Sequence, residues 1–129
     1  MSGVRVLIAD DDAMIRDVLK EVLETEPDIE VVAVAADAEE AIRLAGQVRP
    51  AVAVLDIRMP GGGARAAREI AVRFPGTAIL AFSAYTDRLA MAELRTAGVS
   101  EYLAKGVPNT QIVDTVRRLG RLSPGEPAC

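Results

Sequence analysis

The chain has 129 residues, half of them hydrophobic, a formal net charge of −4 and no histidine. This length suits one domain with its own core. The negative net charge argues against general electrostatic binding of nucleic acid. The absence of histidine excludes imidazole chemistry, and the single cysteine, at the last position, excludes internal disulfides and thiolate metal clusters.

Apolar runs and helical patterns alternate along the first half of the chain. Val4 to Ala9 has the composition of a buried strand, and Asp12 is a candidate N-cap for a helix after it. The apolar residues of that helix fall at helical spacing and are Met14, Val18, Leu19, Val22 and Leu23. A second strand is predicted over Glu30 to Ala35, followed by a helix with Asp37 as a candidate N-cap and Gly46 as a candidate C-cap.

The alternation continues in the second half. Further strands are predicted over Ala51 to Leu55, Thr77 to Phe82 and Tyr102 to Ala104. Further helices are predicted over Ala64 to Phe74, after a candidate cap at Thr86 or Asp87 as far as Gly98, and from Pro108, just inside its helix, onward. Five alternations predict an α/β fold, a parallel sheet with helices on both faces. We expect one domain over residues 1–121, and a linker or flexible tail over residues 122–129.

Charged residues follow three of the predicted strands. Asp10 and Asp11 follow the first strand, Asp56 the third and Lys105 the fifth. Because ligands of an open parallel sheet bind beyond the carboxyl ends of its strands, these groups are expected to converge. A single aspartate at such a place commonly caps a helix or forms an Asx turn, and Asp12 is the clearest candidate for that role. The combination across three strands favours a shared site.

Converging carboxylates disfavour each other's ionisation, and a hard divalent cation such as Mg²⁺ removes that penalty. In a chain without histidine, a carboxylate that accepts a phosphoryl group fits the residues present. Lys105, one of two lysines, and the hydroxyl of Ser83 can contact a phosphoryl oxygen.

Four stretches together resemble the receiver domain of bacterial response regulators. They are Val6-Leu7-Ile8-Ala9-Asp10-Asp11-Asp12, Asp56-Ile57-Arg58-Met59-Pro60, Phe82-Ser83-Ala84-Tyr85 and Tyr102-Leu103-Ala104-Lys105-Gly106. The resemblance covers roughly residues 4 to 121, and the details are most similar to receivers of LuxR/NarL-type regulators. It implies a flavodoxin-like (CheY-like) doubly wound sheet of five strands with five helices in three α/β/α layers.

The resemblance also implies roles for the site residues. Asp56 would accept a phosphoryl group from the phosphohistidine of a histidine kinase or from a small phosphodonor. Asp11 would bind Mg²⁺ directly and Asp10 largely through water, while Asp56 and the backbone carbonyl of Arg58 would complete the protein ligands.

The same resemblance implies a switch. Ser83 and Lys105 would hold the phosphoryl oxygens, and a shift of Ser83 would let Tyr102 turn inward. The face made by the fourth helix, fifth strand and fifth helix would then pair two receivers or release a C-terminal output domain that regulates transcription. From the residues alone, Ser83 is equally an ordinary strand-end hydroxyl and Tyr102 a half-buried strand aromatic.

Two alternatives stay open. A phosphatase of the haloacid-dehalogenase type also uses an aspartate nucleophile and Mg²⁺, and Asp10-Asp11-Asp12 has its Asp-x-Asp spacing, although Met14 stands where that motif usually carries threonine. The second alternative is a receiver-shaped interaction domain that takes no phosphate. The loop Gly61-Gly62-Gly63 supports it, because the family often has an Asp-Gly or Asn-Gly pair there and this segment is one residue short. Three glycines also predict a loop that is mobile without metal.

No apolar stretch approaches the roughly 18 residues that span a bilayer, and the first residues lack the layout of a signal peptide. We therefore expect a cytoplasmic protein with no membrane partner and no direct nucleic-acid binding by this domain. Apart from self-catalysed phosphorylation and dephosphorylation, no enzyme activity is expected.

Overall fold

The structure, a computed structural model, describes residues 3–84 and 88–122. Its strands are β1 (Val4–Ala9), β2 (Ile29–Ala35), β3 (Val52–Leu55), β4 (Ala78–Ser83) and β5 (Glu101–Ala104). Its helices are α1 (Ala13–Glu24), α2 (Ala38–Val48), α3 (Gly63–Arg73), α4 (Arg88–Thr96) and α5 (Asn109–Leu122). The candidate caps Thr86 and Asp87 lie outside the described residues, and so does the expected tail except for Leu122, which is the last residue of α5.

The five strands form one parallel sheet in the order β2-β1-β3-β4-β5. This is the doubly wound, flavodoxin-like order, and it confirms the predicted fold class. The last residues of β1 and β3 are level, since Ala9 pairs with Leu55. The strand order reverses between these two strands, so the chain leaves them toward opposite faces and a crevice opens where they end.

Alternate residues of each strand face two different helical layers. Val6 and Ile8 belong to a core with α1 and α5, made largely of Val, Leu and Ile. Leu7 and Ala9 belong to a core with α2 and α3, in which alanine is the commonest residue. Small side chains let α2 and α3 lie close to the sheet, so a chain with few aromatic residues still fills its interior. Within the described ranges, no helix is both long and apolar enough to cross a bilayer.

Two local predictions, for Gly46 and Pro108, were wrong. Gly46 lies inside α2, and the helix instead ends at Arg49, a non-glycine residue in the left-handed conformation at φ 47°. Pro108 precedes α5, where its carbonyl accepts the Gln111 amide. In α1 the apolar stripe is only partly buried: Leu19 and Leu23 face the core, whereas the side chains at 14 and 18 are largely exposed.

Candidate functional site

The backbone ladder carries the three strand-end residues to one edge of the sheet. The amide of Asp10 donates to Ala35 of β2, at 3.1 Å, and that of Asp56 donates to Ala9 of β1, at 2.9 Å. The amide of Lys105 donates to the carbonyl of Ser83 at 2.8 Å. Each residue thus extends its strand by one step, which confirms the predicted convergence.

Asp10, Asp11 and Asp56 form a carboxylate cluster. Each offers an oxygen, and these oxygens lie within 4.8 Å of one another. Asp10 and Asp56 are buried, with 1% and 4% of their surface exposed, whereas Asp11 is exposed. A set of carboxylate oxygens that is open on one side suits a hard divalent cation that keeps some of its waters. The residues present therefore fit Mg²⁺.

Asx turns fix the two buried carboxylates. Oδ1 of Asp10 accepts the amide of Asp12 at 2.9 Å, and Oδ1 of Asp56 accepts the amide of Arg58 at 3.2 Å. Asp12 itself caps α1 by accepting the amide of Met14, as predicted. Oδ2 of Asp10 is buried and makes its contact with the side chain of Lys105.

Lys105 supplies the positive charge of the cluster. Its Nζ lies 2.8 Å from Oδ2 of Asp10 and 3.6 Å from Oδ1 of Asp56. Burial alone would lower the pKa of Lys105, but the two carboxylates outweigh this and raise it above 10.5. Burial raises the pKa of Asp56 above 3.8, and the charges of Asp10 and Asp11 raise it further against the opposing effects of the Arg58 amide and Lys105.

Glycines bring the loop after Asp56 close to its surroundings. Gly61 adopts φ 87°, and a side chain there would meet the Cβ of Ala38. A side chain on Gly63 would overlap the backbone of Asp56 and Ile57. Backbone bonds anchor the loop: Gly63 donates to Ile57 at 3.1 Å, and the first amide of α2, at Ala38, donates to the carbonyl of Pro60 at 2.9 Å.

Ser83, Arg58 and Tyr102 are the remaining residues that the sequence predicted for the site and its switch. Ser83 is buried at the end of β4, next to β3, and Arg58 is exposed directly beside Asp56. Tyr102 lies on β5, two residues before the end of that strand. It is half-buried on β5 and lines a cleft of about 130 Å³ with Met91 and Leu94 of α4.

Sequence reasoning missed Arg16. Its guanidinium, on α1, donates from NH1 to the backbone carbonyl of Asp10 at 2.8 Å. Helical spacing could have placed Arg16 near the start of α1, but no pattern in the sequence shows that its side chain turns back to the end of β1.

Comparisons with known proteins show which family the chain belongs to. The family model described as "Response regulator receiver domain" matches residues 6–117. DNA-binding transcriptional activator DevR/DosR of Mycobacterium tuberculosis is 33% identical over 91% of this chain and 54% of its own length. A protein-glutamate methylesterase/protein-glutamine glutaminase of Nocardioides sp. is 38% identical over 81% of this chain and 30% of its own length. The chain thus spans about half or less of these two curated relatives.

Among solved structures, the signal receiver domain of the putative response regulator NarL from Mycobacterium tuberculosis superimposes with a TM-score of 0.89 at 30% identity. That match covers 94% of this chain and 98% of the other. The response regulator domain of Thermotoga maritima CheB gives a TM-score of 0.81 at 28% identity, over 98% of this chain and 99% of the other. Fold, strand-end residues and family model agree: the chain belongs to the response regulator receiver domain family.

Proposed function

We propose that this receiver domain accepts a phosphoryl group on Asp56 in a Mg²⁺-dependent reaction. The observation that carries the proposal is the meeting of three carboxylates within 4.8 Å beside the ammonium of Lys105. Oδ2 of Asp56 attacks the phosphorus of a phosphohistidine on a histidine kinase. The new O–P bond forms as the P–N bond breaks, and the donor imidazole leaves with that bonding pair.

The carboxylate cluster supports Mg²⁺ as the cofactor. Asp11 and Asp56 would bind the ion directly, Asp10 largely through water, and the carbonyl of Arg58 would be a further ligand. When bound, the ion neutralises the carboxylates and the phosphoryl oxygens during transfer. The raised pKa of Asp56, caused first by burial and then by its acidic neighbours, is the cost that such a cation offsets.

Lys105 and Ser83 would hold the transferred group. The ammonium of Lys105 is a compact charge on a flexible side chain and lies 3.6 Å from Asp56. Ser83 ends the strand beside β3, so its hydroxyl would donate to a second phosphoryl oxygen. Positioning and charge neutralisation carry most of the catalysis in phosphoryl transfer, which fits a domain that is an acceptor and not a turnover enzyme.

The phosphoryl group would act through Ser83 and Tyr102. Ser83 pairs with Ala104 on β5, two residues beyond Tyr102, so a shift at the end of β4 reaches the strand that carries the aromatic ring. The cleft between α4 and β5 offers space for that ring to move. The α4–β5–α5 face would then pair two receivers or release an output domain.

The partners follow from the family and from the relatives. A histidine kinase would supply the phosphoryl group in the cytoplasm, and the residues after Leu122, where α5 ends, would link the domain to an output domain. DevR/DosR, whose name describes a DNA-binding transcriptional activator, supports transcription regulation as the output. The acidic receiver itself, with a net charge of −4, would not bind nucleic acid directly.

The test is phosphate incorporation from acetyl phosphate, followed by intact mass. We expect the mass of one phosphoryl group on the wild-type protein with Mg²⁺ and none without it. Asp56→Asn should lose the gain, while Asp114→Asn, the same change at an exposed position of α5, should keep it. A gain that persists in Asp56→Asn would contradict the proposal.

Two further assays on the wild-type protein test the alternatives, an interaction domain that takes no phosphate and a phosphatase. An interaction domain that takes no phosphate would show neither the mass gain nor any response to beryllofluoride with Mg²⁺. A phosphatase of the haloacid-dehalogenase type would release p-nitrophenol steadily from p-nitrophenyl phosphate, whereas a phosphoacceptor would instead retain a single acyl phosphate.

A further inference from the structure

Arg16 makes a contact that the proposed transfer does not use. Its side chain is half-buried on α1 and donates from NH1 to the main-chain carbonyl of Asp10, at 2.8 Å. A charged donor gives a stronger hydrogen bond than a neutral one. The acceptor belongs to the peptide that joins Asp10 to Asp11, so Arg16 holds the orientation of the backbone between two residues of the carboxylate cluster.

Every polar group of Asp10 has a neighbour that fixes it. Its amide donates to Ala35 at 3.1 Å, its Oδ1 accepts the amide of Asp12 at 2.9 Å, and its Oδ2 lies 2.8 Å from the ammonium of Lys105. The carbonyl is the remaining group, and Arg16 binds it. Asp11 has no comparable restraint on its own side chain within the described residues, and it is exposed.

We propose that Arg16 is a positioning residue for the metal site. By holding the Asp10–Asp11 peptide, it directs the exposed carboxylate of Asp11 toward Asp10 and Asp56. The effect on Mg²⁺ binding rests on the proposed function. The geometric part, that Arg16 holds the Asp10–Asp11 turn, does not. Residues that orient metal ligands without touching the ion commonly change affinity by about tenfold or more when replaced.

The positive charge of Arg16 acts against cation binding, and the experiment must separate this effect from positioning. Arg16 is positive, so its loss would by itself favour a cation through simple electrostatics. High salt weakens that effect, since the Debye length in about 0.5 M KCl is about 4 Å, and any part that remains would raise the affinity and not lower it. A loss of affinity that persists in high salt therefore reports positioning.

The experiment compares Arg16→Met with Arg73→Met. The control removes an arginine that forms an exposed i,i+4 ion pair with Glu69 at the end of α3. Mg²⁺ affinity is measured by calorimetry in about 0.5 M KCl, and amide exchange at Asp11 and Asp12 is measured without metal. We expect Arg16→Met to bind Mg²⁺ about tenfold more weakly and to exchange both amides faster, and Arg73→Met to match the wild type.

Unchanged affinity and unchanged exchange in Arg16→Met would overturn the inference. Faster exchange with unchanged affinity would overturn it as well, because the turn would then be held for stability alone. If the wild-type protein binds no Mg²⁺, the proposed function fails separately. The exchange rates then test the geometric part alone: an increase shows that Arg16 holds the Asp10–Asp11 turn, and no increase refutes that part as well.

Discussion

Lys105 is paired with Asp10 more closely than with the proposed phosphoacceptor: Nζ lies 2.8 Å from Oδ2 of Asp10 but 3.6 Å from Oδ1 of Asp56. Asp10 is almost completely buried, so its charge needs a counter-ion in the metal-free protein. The ammonium of Lys105 therefore supplies part of the positive charge that a bound divalent cation would provide.

Removal of this ammonium should tighten metal binding. Two unit charges 4 Å apart repel by about 1 kcal/mol even in water, so Lys105→Met is expected to bind Mg²⁺ at least about fivefold more tightly. It should nevertheless incorporate phosphate from acetyl phosphate more slowly, because the phosphoryl oxygens lose a cation. The chain offers a matched control, since Lys20→Met removes its other lysine, exposed on α1 beside Glu24. Equal Mg²⁺ affinity in all three proteins, by calorimetry, would show that Lys105 does not oppose the ion.

The raised pKa of Asp56 predicts how stability depends on pH. An aspartate whose pKa is higher in the folded state than in the unfolded state loses stability as pH rises from the unfolded value through the folded one. Burial raises the pKa of Asp56 above 3.8. Without Mg²⁺ at neutral pH, Asp56→Asn should therefore have a higher free energy of unfolding than the wild type, and the gap should close below pH 3.8. Urea unfolding at several pH values checks this, and a gap that is constant with pH would contradict it.

Gly63 should tolerate no side chain. A Cβ at this position would overlap the backbone of Asp56 and Ile57, which cannot move independently of β3. We expect Gly63→Ala to lower the free energy of unfolding by about 2 kcal/mol. In Gly46→Ala, by contrast, the new Cβ would meet only the ring of Phe74, and alanine favours the helix, so the change should stay below about 1 kcal/mol. Similar losses in the two variants would refute the backbone overlap.

Arg117 should make the domain sensitive to acid. Its Nε and NH2 bind both carboxylate oxygens of Asp28, at 2.7 and 2.9 Å, and this pairing lowers the pKa of Asp28 below 3.8. The lowered pKa contributes stability that is present above pH 3.8 and is lost as pH falls through the folded value. Arg117→Met should thus be less stable at pH 7 and should lose less on further acidification. Arg118→Met, which breaks an exposed pair with Glu101, should keep the acid dependence of the wild type.

The glycine loop after Asp56 should become more ordered with ligands. The amides of Gly62 and Gly63 donate to Met59 and Ile57, and three consecutive glycines lose much conformational entropy when they are held. Mg²⁺ with beryllofluoride should therefore slow exchange of these two amides. The amide of Phe74, at the far end of α3, serves as the internal control. Equal exchange at the glycines with and without ligands would contradict the prediction.

The fold and the convergence of the site residues could be predicted from the sequence because both depend on short-range patterns. Apolar runs mark the strands, and the parallel topology brings the residues after them to one edge, so Asp10, Asp56 and Lys105 could be placed without coordinates. Which residues of a surface helix are buried is harder to predict from the sequence. Helical spacing groups Met14 and Val18 with the buried leucines of α1, yet both are largely exposed. Their burial depends on how the helix lies on the sheet, which spacing does not show.

Other features depend on contacts that spacing cannot reveal. Arg49 closes α2 in the left-handed conformation with its guanidinium 4.8 Å from the ring centre of Phe74, and with Nε bonded to the carbonyl of Gly46. These contacts compensate a conformation in which glycine would be expected. Arg117 likewise joins α5 to residues about 90 positions earlier, a distance at which one sequence carries no pairing signal.

The alanine-rich layer between the sheet and the α2–α3 pair implies that the two sides of this domain accumulate amino-acid changes unequally. Where Val, Leu and Ile fill the opposite layer, one branched side chain can replace another with little change in volume. A fully buried alanine such as Ala41 or Ala66 has no smaller substitute but glycine, and any larger one must push a helix off the sheet. Variation among such domains should therefore concentrate on the α1–α5 side.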